Sequence, residues 1–313
     1  MKPYSSFVPE KYHNFPILEY LHLRFPYYSA SDWGRHCHEG RVKRNGYVLC
    51  ADDFVLKGDL ISYTPEDKTF SEPTVNAKYK ILYDSHQFLI VDKPANLPVH
   101  PAGKYRTQTL LNFLKADLNS EEIFPVHRLD RETSGIMVFA KNKEWQLYLQ
   151  SAFEKRLVKK EYEVLVYGKF PIELEAIGFI GKEENSIVRK KQKYSPYGFP
   201  NSKESETHFS LIHYSQEKDI SHLKVYPRTG RVHQIRATLY SLGYPVLGDK
   251  LYGKDESFFL SFAKTGDTSG FVESLGHTRQ ALHATYLEFG DNVSDHKYSF
   301  HLPFPDELSL LLN

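Results

Sequence analysis

Apolar residues run without interruption through GIMVFAK (135–141), starting from a glycine, and the run predicts a strand buried on both faces. Directly after it the spacing changes. Trp145, Tyr148, Leu149, Ala152 and Phe153 recur at helical intervals, and Asn142 stands where it can cap that helix. EYEVLVYGKF (161–170) and HLKVYP (222–227) return to strand. Upstream, YKILYDSHQFLIVDKP (79–94) predicts two strands with a short connection, followed by the extended VHPAG. TGR (229–231) leads into a helix that starts near Val232, with Ile235, Leu239 and Leu242 on one face and Gly243 just past its end.

The first part of the chain reads as a small unit, residues 15–65. It closes on two short strand-like runs divided at Asn45-Gly46, and Lys57-Gly58-Asp59 supplies another turn. TPEDKTFSEPTVNAK (64–78) has two prolines and no periodicity and reads as a linker, with 66–79 the expected boundary and the larger domain running over 80–313. No internal repeat is present. The fold class expected is α+β, with strands predominating in the larger domain.

Composition narrows the field. At 41% hydrophobic and 25% charged the chain is an ordinary folded protein, and no apolar run approaches the ~18 residues of a membrane helix. The N-terminus lacks a secretory apolar stretch, and Cys37 and Cys50 form no framework, so a cytoplasmic location is expected. Fifteen histidines fall in no metal-ligand spacing, and no metal site is expected. Net charge is +1, but KRLVKK (155–160) and VRKKQKYSPYGFPNSK (188–203) are locally basic with tyrosines interleaved. That pattern suits phosphate contact and base stacking; charge alone favours the plainer reading, a solvated face.

The densest chemistry lies in HRLDRETSG (127–135). Asp130, after an extended HRL and before Thr-Ser-Gly, is expected at a strand edge facing a cleft. Taken alone it reads as a structural salt bridge. Asp130 and Glu132 stand two apart and point to opposite sides of an extended segment, a poor glycosidase pair. In TGRVHQIRATLYSLGYPVLGDKLYG (229–253) the helix places His233, Arg236 and Tyr240 along one edge, from which Arg236 can hold a carboxylate bidentately. A surface arginine is the commoner outcome at such a position.

FPVHRLDRETSGIMVFAK (124–141) resembles the signature of the RluA-type RNA pseudouridine synthases, and TGRVHQIR…LGYPVLGDKLYG resembles that family's second block. KKEYEVLVYGKF (159–170) is similar to its strand carrying a tyrosine two residues after a lysine. VDKPANLPVHPAG (91–103) and RQALHATYLEF (279–289) resemble its opening and closing blocks. The five occur in order over about 80–305.

The resemblance implies an isomerase that detaches uracil from ribose in RNA, rotates it and rejoins it through C5, with no cofactor. It implies Asp130 as the catalytic aspartate, Arg236 as its ion-pair partner and Tyr162 against the base. Without the resemblance, Tyr162 would read as core beside Val164 and Val166. Arg128 is implied to fill the gap that a flipped uridine leaves, and His127 and Arg131 to touch phosphates. Lys160, Arg231 and His233 are further candidates for RNA contact. The partner expected is ribosomal RNA first and transfer RNA second, and a monomer is the default.

Some positions depart from the pattern. Asp92 and Asn96 replace the usual Asn and Gly, Ala237-Thr238 replaces a Val-His pair, and 254–278 is longer than usual, an added loop. Residues 15–65 resemble an S4-type RNA-binding domain through Gly40, Val42, Asn45, Gly46 and KGDLI (57–61), although Ala30 and Asp32 stand where basic residues are usual. Two other readings are a non-catalytic RNA-binding or assembly factor on the same fold, and a hydrolase of another glycoside. The hydrolase would require a second acid facing Asp130.

Overall fold

A computed structural model describes residues 3–25, 28–65, 72–103, 105–291 and 294–313. The chain forms two compact units, 1–71 and 72–313.

The first unit contains β1 (Tyr4–Phe7), β2 (Phe15–Pro16), α1 (Ile17–Arg24), α2 (Ala30–His38), β3 (Val42–Arg44), β4 (Tyr47–Val48), β5 (Phe54–Val55) and β6 (Leu60–Tyr63). Its main sheet has the order β1-β6-β3-β4, so the unit recruits residues upstream of position 15. Asn45 and Gly46 both have positive φ at the β3–β4 hairpin, as the Asn-Gly pair predicts. Asp32 has a local explanation. It is the third residue of a capping box, exchanging hydrogen bonds with Ser29 at the start of α2.

In the stretch that reads as a linker, residues 66–71 lie outside those described. Residues 72–79 are not a free spacer. The Glu72 carboxylate accepts from the amides of Thr107 and Gln108, both at 2.8 Å, and Val75 and Tyr79 pack on a core cluster. Prolines and missing periodicity do not separate a spacer from a strap laid over a domain surface.

The second unit is built on one sheet. Its elements are β7 (Lys80–Asp84), β8 (Phe88–Lys93), α3 (Leu110–Asp117), β9 (Phe124–Pro125), β10 (Ser134–Ala140), α4 (Lys143–Glu154), β11 (Lys159–Tyr167), β12 (Glu173–Lys182), β13 (Gln192–Ser195), β14 (Lys203–Ser215), β15 (Ile220–Pro227), α5 (Gln234–Ser241), α6 (Glu256–Thr265), α7 (Phe271–Leu275), β16 (Leu282–Gly290), β17 (Lys297–His301) and α8 (Asp306–Ser309). The strand order is β13-β12-β14-β15-β11-β16-β10-β8-β7, with β9 paired to β10 and β17 to β16. The ladders are antiparallel except for β10 with β16, which run parallel through Ser134–His283 and Gly135–Ala284. At that seam a Cβ on Gly135 would lie 2.2 Å from the Ala284 carbonyl oxygen, so no other residue fits.

All seven residues of β10 are buried. Ile136, Val138 and Ala140 meet Trp145, Leu149 and Ala152 of α4 on one face, while Met137 and Phe139 meet Leu110 and Leu114 of α3 on the other. Asn142 caps α4 by accepting from the Trp145 amide at 2.9 Å. Ile235 and Leu239 of α5 pack on Val164, Val166, Leu223 and Val225, with Leu242 at the edge of that cluster. The segment 254–278 is no bare loop, since it holds α6 and α7.

Candidate active site

Asp130 opens a tight turn, closed by the Thr133 amide donating to its carbonyl at 3.1 Å, and β10 starts one residue later. The turn therefore falls at Arg131-Glu132, one step before the Thr-Ser-Gly that the sequence suggests. Its back is held by Lys93, a fully buried lysine at the end of β8. The Lys93 ammonium donates to the carbonyls of Pro94 and Leu97, each at 2.9 Å, and of Arg131 at 3.1 Å. Burial pulls its pKa down to about 7. Asn96 takes the left-handed φ of +61° that its place in this block requires.

The Asp130 side chain, 24% exposed, receives Arg236 Nη1 on Oδ2 at 2.6 Å. The other edge of that guanidinium is committed elsewhere. Nε and Nη2 of Arg236 grip both oxygens of Asp249 at 2.6 and 2.8 Å. The bidentate partner of Arg236 is thus Asp249, while Asp130 gets one hydrogen bond. Asp249 is fully buried and also accepts from the amides of Leu251 and Tyr252 at 2.9 and 3.0 Å. It follows Gly248, whose added Cβ would collide with the Arg279 carbonyl, so the pair is pressed into the core. With its oxygens filled and its bulk behind Arg236, Asp249 is no second acid facing Asp130.

Tyr252 stands among the three residues that the sequence aligns on one edge of α5. Its ring lies 5.6 Å from that of His233 and 5.9 Å from that of Tyr240, and Arg236 sits 5.0 Å from its centre. The Tyr252 oxygen accepts from the Gln192 amide at 2.9 Å and meets His233 Nδ1 at 2.9 Å. His233 Nε2 lies 3.8 Å from Asp130 Oδ1. His233 is the N-cap of α5, in the left-handed region at a φ of +55°. Burial lowers its pKa to about 4, so it is neutral at pH 7 and stands beside Asp130. Burial raises the Asp130 pKa, but His233, Arg236 and the Arg236 hydrogen bond outweigh it and hold the carboxyl well below its usual range. With His233 neutral, Arg236 carries this at pH 7.

Tyr162 lies in β11 where the register with β16 shifts, between Glu161 and Tyr162. It packs against both the α3 and the α5 clusters and bridges the two halves of the core. Its hydroxyl has no hydrogen-bond partner among the described residues. Burial and then the charge of Asp130 raise its pKa, so the phenol is neutral at pH 7. Beside it opens a cleft of about 310 Å³, lined by His127, Arg128, Phe153, Lys160, Tyr162 and Arg231 among others.

The remaining candidates separate by what they touch. Arg128 is exposed on the cleft, without a hydrogen-bond or ionic partner among the described residues. Lys160, with its pKa lowered by burial to about 8, has one long contact to the Thr229 carbonyl at 3.4 Å. Arg231 lines the cleft while its Nε holds the Glu204 carbonyl at 2.8 Å. His127 stacks on Phe153 and accepts from the Val138 amide at 3.1 Å, and burial lowers its pKa to about 3. It offers a phosphate no charge. Arg131 turns inward onto Tyr105 and Glu132. Arg128, Lys160 and Arg231 face the cleft, while Arg131 is engaged with Tyr105 and Glu132. Of the basic run 188–203, Lys191 pairs with Glu256 at 2.9 Å and Lys193 with Glu183 at 3.7 Å, so part of it is spent internally.

Sequence reasoning misses Lys93, Asp249 and Tyr252. The signal for Asp249 is its place after a glycine in an otherwise apolar YPVLGD. A helix arginine beside an apolar stripe needs its charge compensated from more than one side.

The sequence model of a family described as RNA pseudouridylate synthase matches residues 87–241. The ribosomal large subunit pseudouridine synthase D of Pseudomonas aeruginosa is 30% identical over 295 residues, covering 92% of this chain and 88% of that protein. The mitochondrial tRNA pseudouridine(32) synthase of Saccharomyces cerevisiae is 29% identical over 272 residues, covering 84% of this chain and 56% of that one. Among solved structures, human RNA pseudouridylate synthase domain containing 1 aligns with a TM-score of 0.60 at 25% identity, over 77% of this chain and 90% of that one.

Proposed function

We propose, on the premise that the chain belongs to the RNA pseudouridylate synthase family and isomerises uridine in RNA, that Asp130 is its catalytic carboxylate and large-subunit ribosomal RNA its substrate. The observation that carries the assignment is the contact of Arg236 with Asp130 at 2.6 Å, on a carboxylate that stays partly open. A carboxylate buried without a partner would protonate; one wrapped on both oxygens would be inert. Asp130 is held ionised with one oxygen left for substrate. Both routes to release of uracil, attack on the anomeric carbon or removal of a ribose proton to give a glycal, require that state.

A uridine in folded RNA must leave its stack before its glycosidic bond can be reached, at a cost of a few kcal/mol. The exposed, unpartnered guanidinium of Arg128 fills the vacated place, and Lys160 and Arg231 take the backbone beside it. The detached uracil rests on the Tyr162 ring, free to turn while the phenol oxygen offers a neutral hydrogen bond near C5. Arg236 and neutral His233 keep Asp130 oriented throughout. The first unit, as an S4-type module, adds RNA affinity. The large-subunit assignment follows the names of the relatives that this chain matches over most of their own length as well as its own, 88% and 82%.

The test is pseudouridine mapping of total RNA from cells with the gene intact, deleted, and restored as Asp130→Asn. A large-subunit uridine should lose its mark on deletion and stay unmarked with the variant. Restoration of the mark by Asp130→Asn would remove Asp130 from the chemistry. A changed site in transfer RNA alone would move the substrate.

A further inference from the structure

The segment 254–278, which reads as longer than its family pattern, ties the loop that carries Asp130 to the loop that carries Asp249. Phe262 of α6 lies under two cations at once, with Arg131 at 4.6 Å and Lys250 at 4.8 Å from its ring centre. Both cations close on one carboxylate. Arg131 reaches Glu132 Oε1 at 2.7 Å and Lys250 reaches Oε2 at 2.8 Å. Arg131 and Glu132 are the turn that Asp130 opens, and Lys250 is the residue after Asp249. The Arg131 guanidinium also meets Tyr105, 5.6 Å from its ring centre and hydrogen-bonded through the hydroxyl. Phe262 is backed by buried Phe271 of α7, and the end of α7 is tied in turn. The Gly248 amide donates to the Leu275 carbonyl at 2.7 Å, next to the aspartate that fixes Arg236.

We infer that α6 and α7 form a positioning strap, with Phe262 the residue that sets the Asp130 turn against the Asp249–Arg236 pair. Phe262 touches no reacting atom and acts through Arg131, Lys250 and Glu132. Both cations are tied to the Glu132 carboxylate, and the Lys250 side chain is buried, so the segment orders the site and does not grip the substrate. A ring face suits this task, because it can hold two cations by its quadrupole without adding a charge that would compete with Glu132. A displacement near 1 Å of a reacting group costs on the order of 100-fold in rate.

This inference rests on the assignment of Asp130, and the experiment keeps the two apart. Full-length protein carrying Phe262→Ala, Phe262→Leu, Phe262→Tyr or Asp130→Asn is assayed for kcat, KM and RNA affinity on one RNA substrate, with thermal melting of each variant. Phe262→Ala should lower kcat about 10- to 100-fold with KM and affinity within twofold. Phe262→Tyr should recover most of the loss, and Phe262→Leu, apolar without a ring quadrupole, should not. If Phe262→Ala weakens RNA binding and leaves kcat intact, the segment is an RNA arm and the inference is wrong. Equal recovery by Leu and Tyr would reduce Phe262 to packing and overturn it too. Should Phe262→Ala fail to fold, the Leu and Tyr pair decides alone. Activity in Asp130→Asn would discard the catalytic assignment whatever Phe262 does.

Discussion

Asp249→Asn is the substitution in which the site's architecture can be measured as stability. The four described groups that hydrogen-bond the Asp249 carboxylate are all donors: Arg236 Nε and Nη2, and the amides of Leu251 and Tyr252. An asparagine keeps one acceptor and turns the other into an NH₂, which must then face a donor in either orientation. The Arg236 guanidinium loses its bidentate partner in the core. Breaking a buried pair from one side costs roughly 3–5 kcal/mol. For a domain of this size that lowers the melting temperature by about 6–20 °C. Asp130→Asn is the control, since that side chain is 24% exposed and can still turn its oxygen to Arg236 Nη1. Its cost should stay near 1 kcal/mol. Calorimetric melting of both variants beside the unaltered protein decides, with the two units resolved as separate transitions where they do not melt together. pH supplies a second reading. Burial raises the Asp249 pKa, but Arg236 and the backbone amides outweigh it, so the folded value lies below the unfolded ~3.9. Its contribution is present above that value and lost as pH falls through the folded one. The acid limb of stability should therefore be shallower in Asp249→Asn. A melt within about 2 °C of the unaltered protein would refute the reasoning.

Other expectations are briefer. Asp130→Asn should abolish isomerisation in a single-turnover assay while RNA affinity stays within about threefold, because an exposed oxygen becomes an amide of the same shape. Tyr162→Phe keeps the flat face and removes a hydroxyl that has no hydrogen-bond partner among the described residues, so it should lose activity comparably to Tyr162→Ala; a Phe variant near full rate would assign the role to the ring. Arg128→Ala should weaken RNA binding about tenfold, in line with ~1–3 kcal/mol for a stacking side chain. It should also reduce the salt slope of binding by less than one unit, and an unchanged affinity would remove Arg128 from the cleft.

The elements around the site were legible because their periods are clean. GIMVFAK is β10, Asn142 caps α4, and Ile235, Leu239 and Leu242 line one face of α5. Asp130, Tyr162 and Arg236 do converge, but the motif blocks carried that expectation, since periodicity alone leaves Tyr162 in the core. What stayed hidden depends on long-range pairing. Arg236 has two carboxylates to choose between, and only the fold says which one it grips with both arms. His127 and Arg131 look like RNA contacts in a linear motif. In space one receives a strand amide on its ring nitrogen and the other braces a turn. A charged residue in sequence carries no record of which charges the core has already used.

The parallel seam of β10 with β16 also bears on how the protein is made. β16 lies between β11 and β10, so it is the one strand joining the half of the sheet that carries Asp130 to the half that carries Tyr162 and Arg236. It is also among the last elements to leave the ribosome, more than 140 residues after β10 begins. Domains take shape during synthesis at about 5–20 residues per second. A nascent chain therefore holds two hydrophobic half-sheets with open edges for several seconds, until β16 enters between them. A chain cut short before β16 is expected to lack isomerase activity.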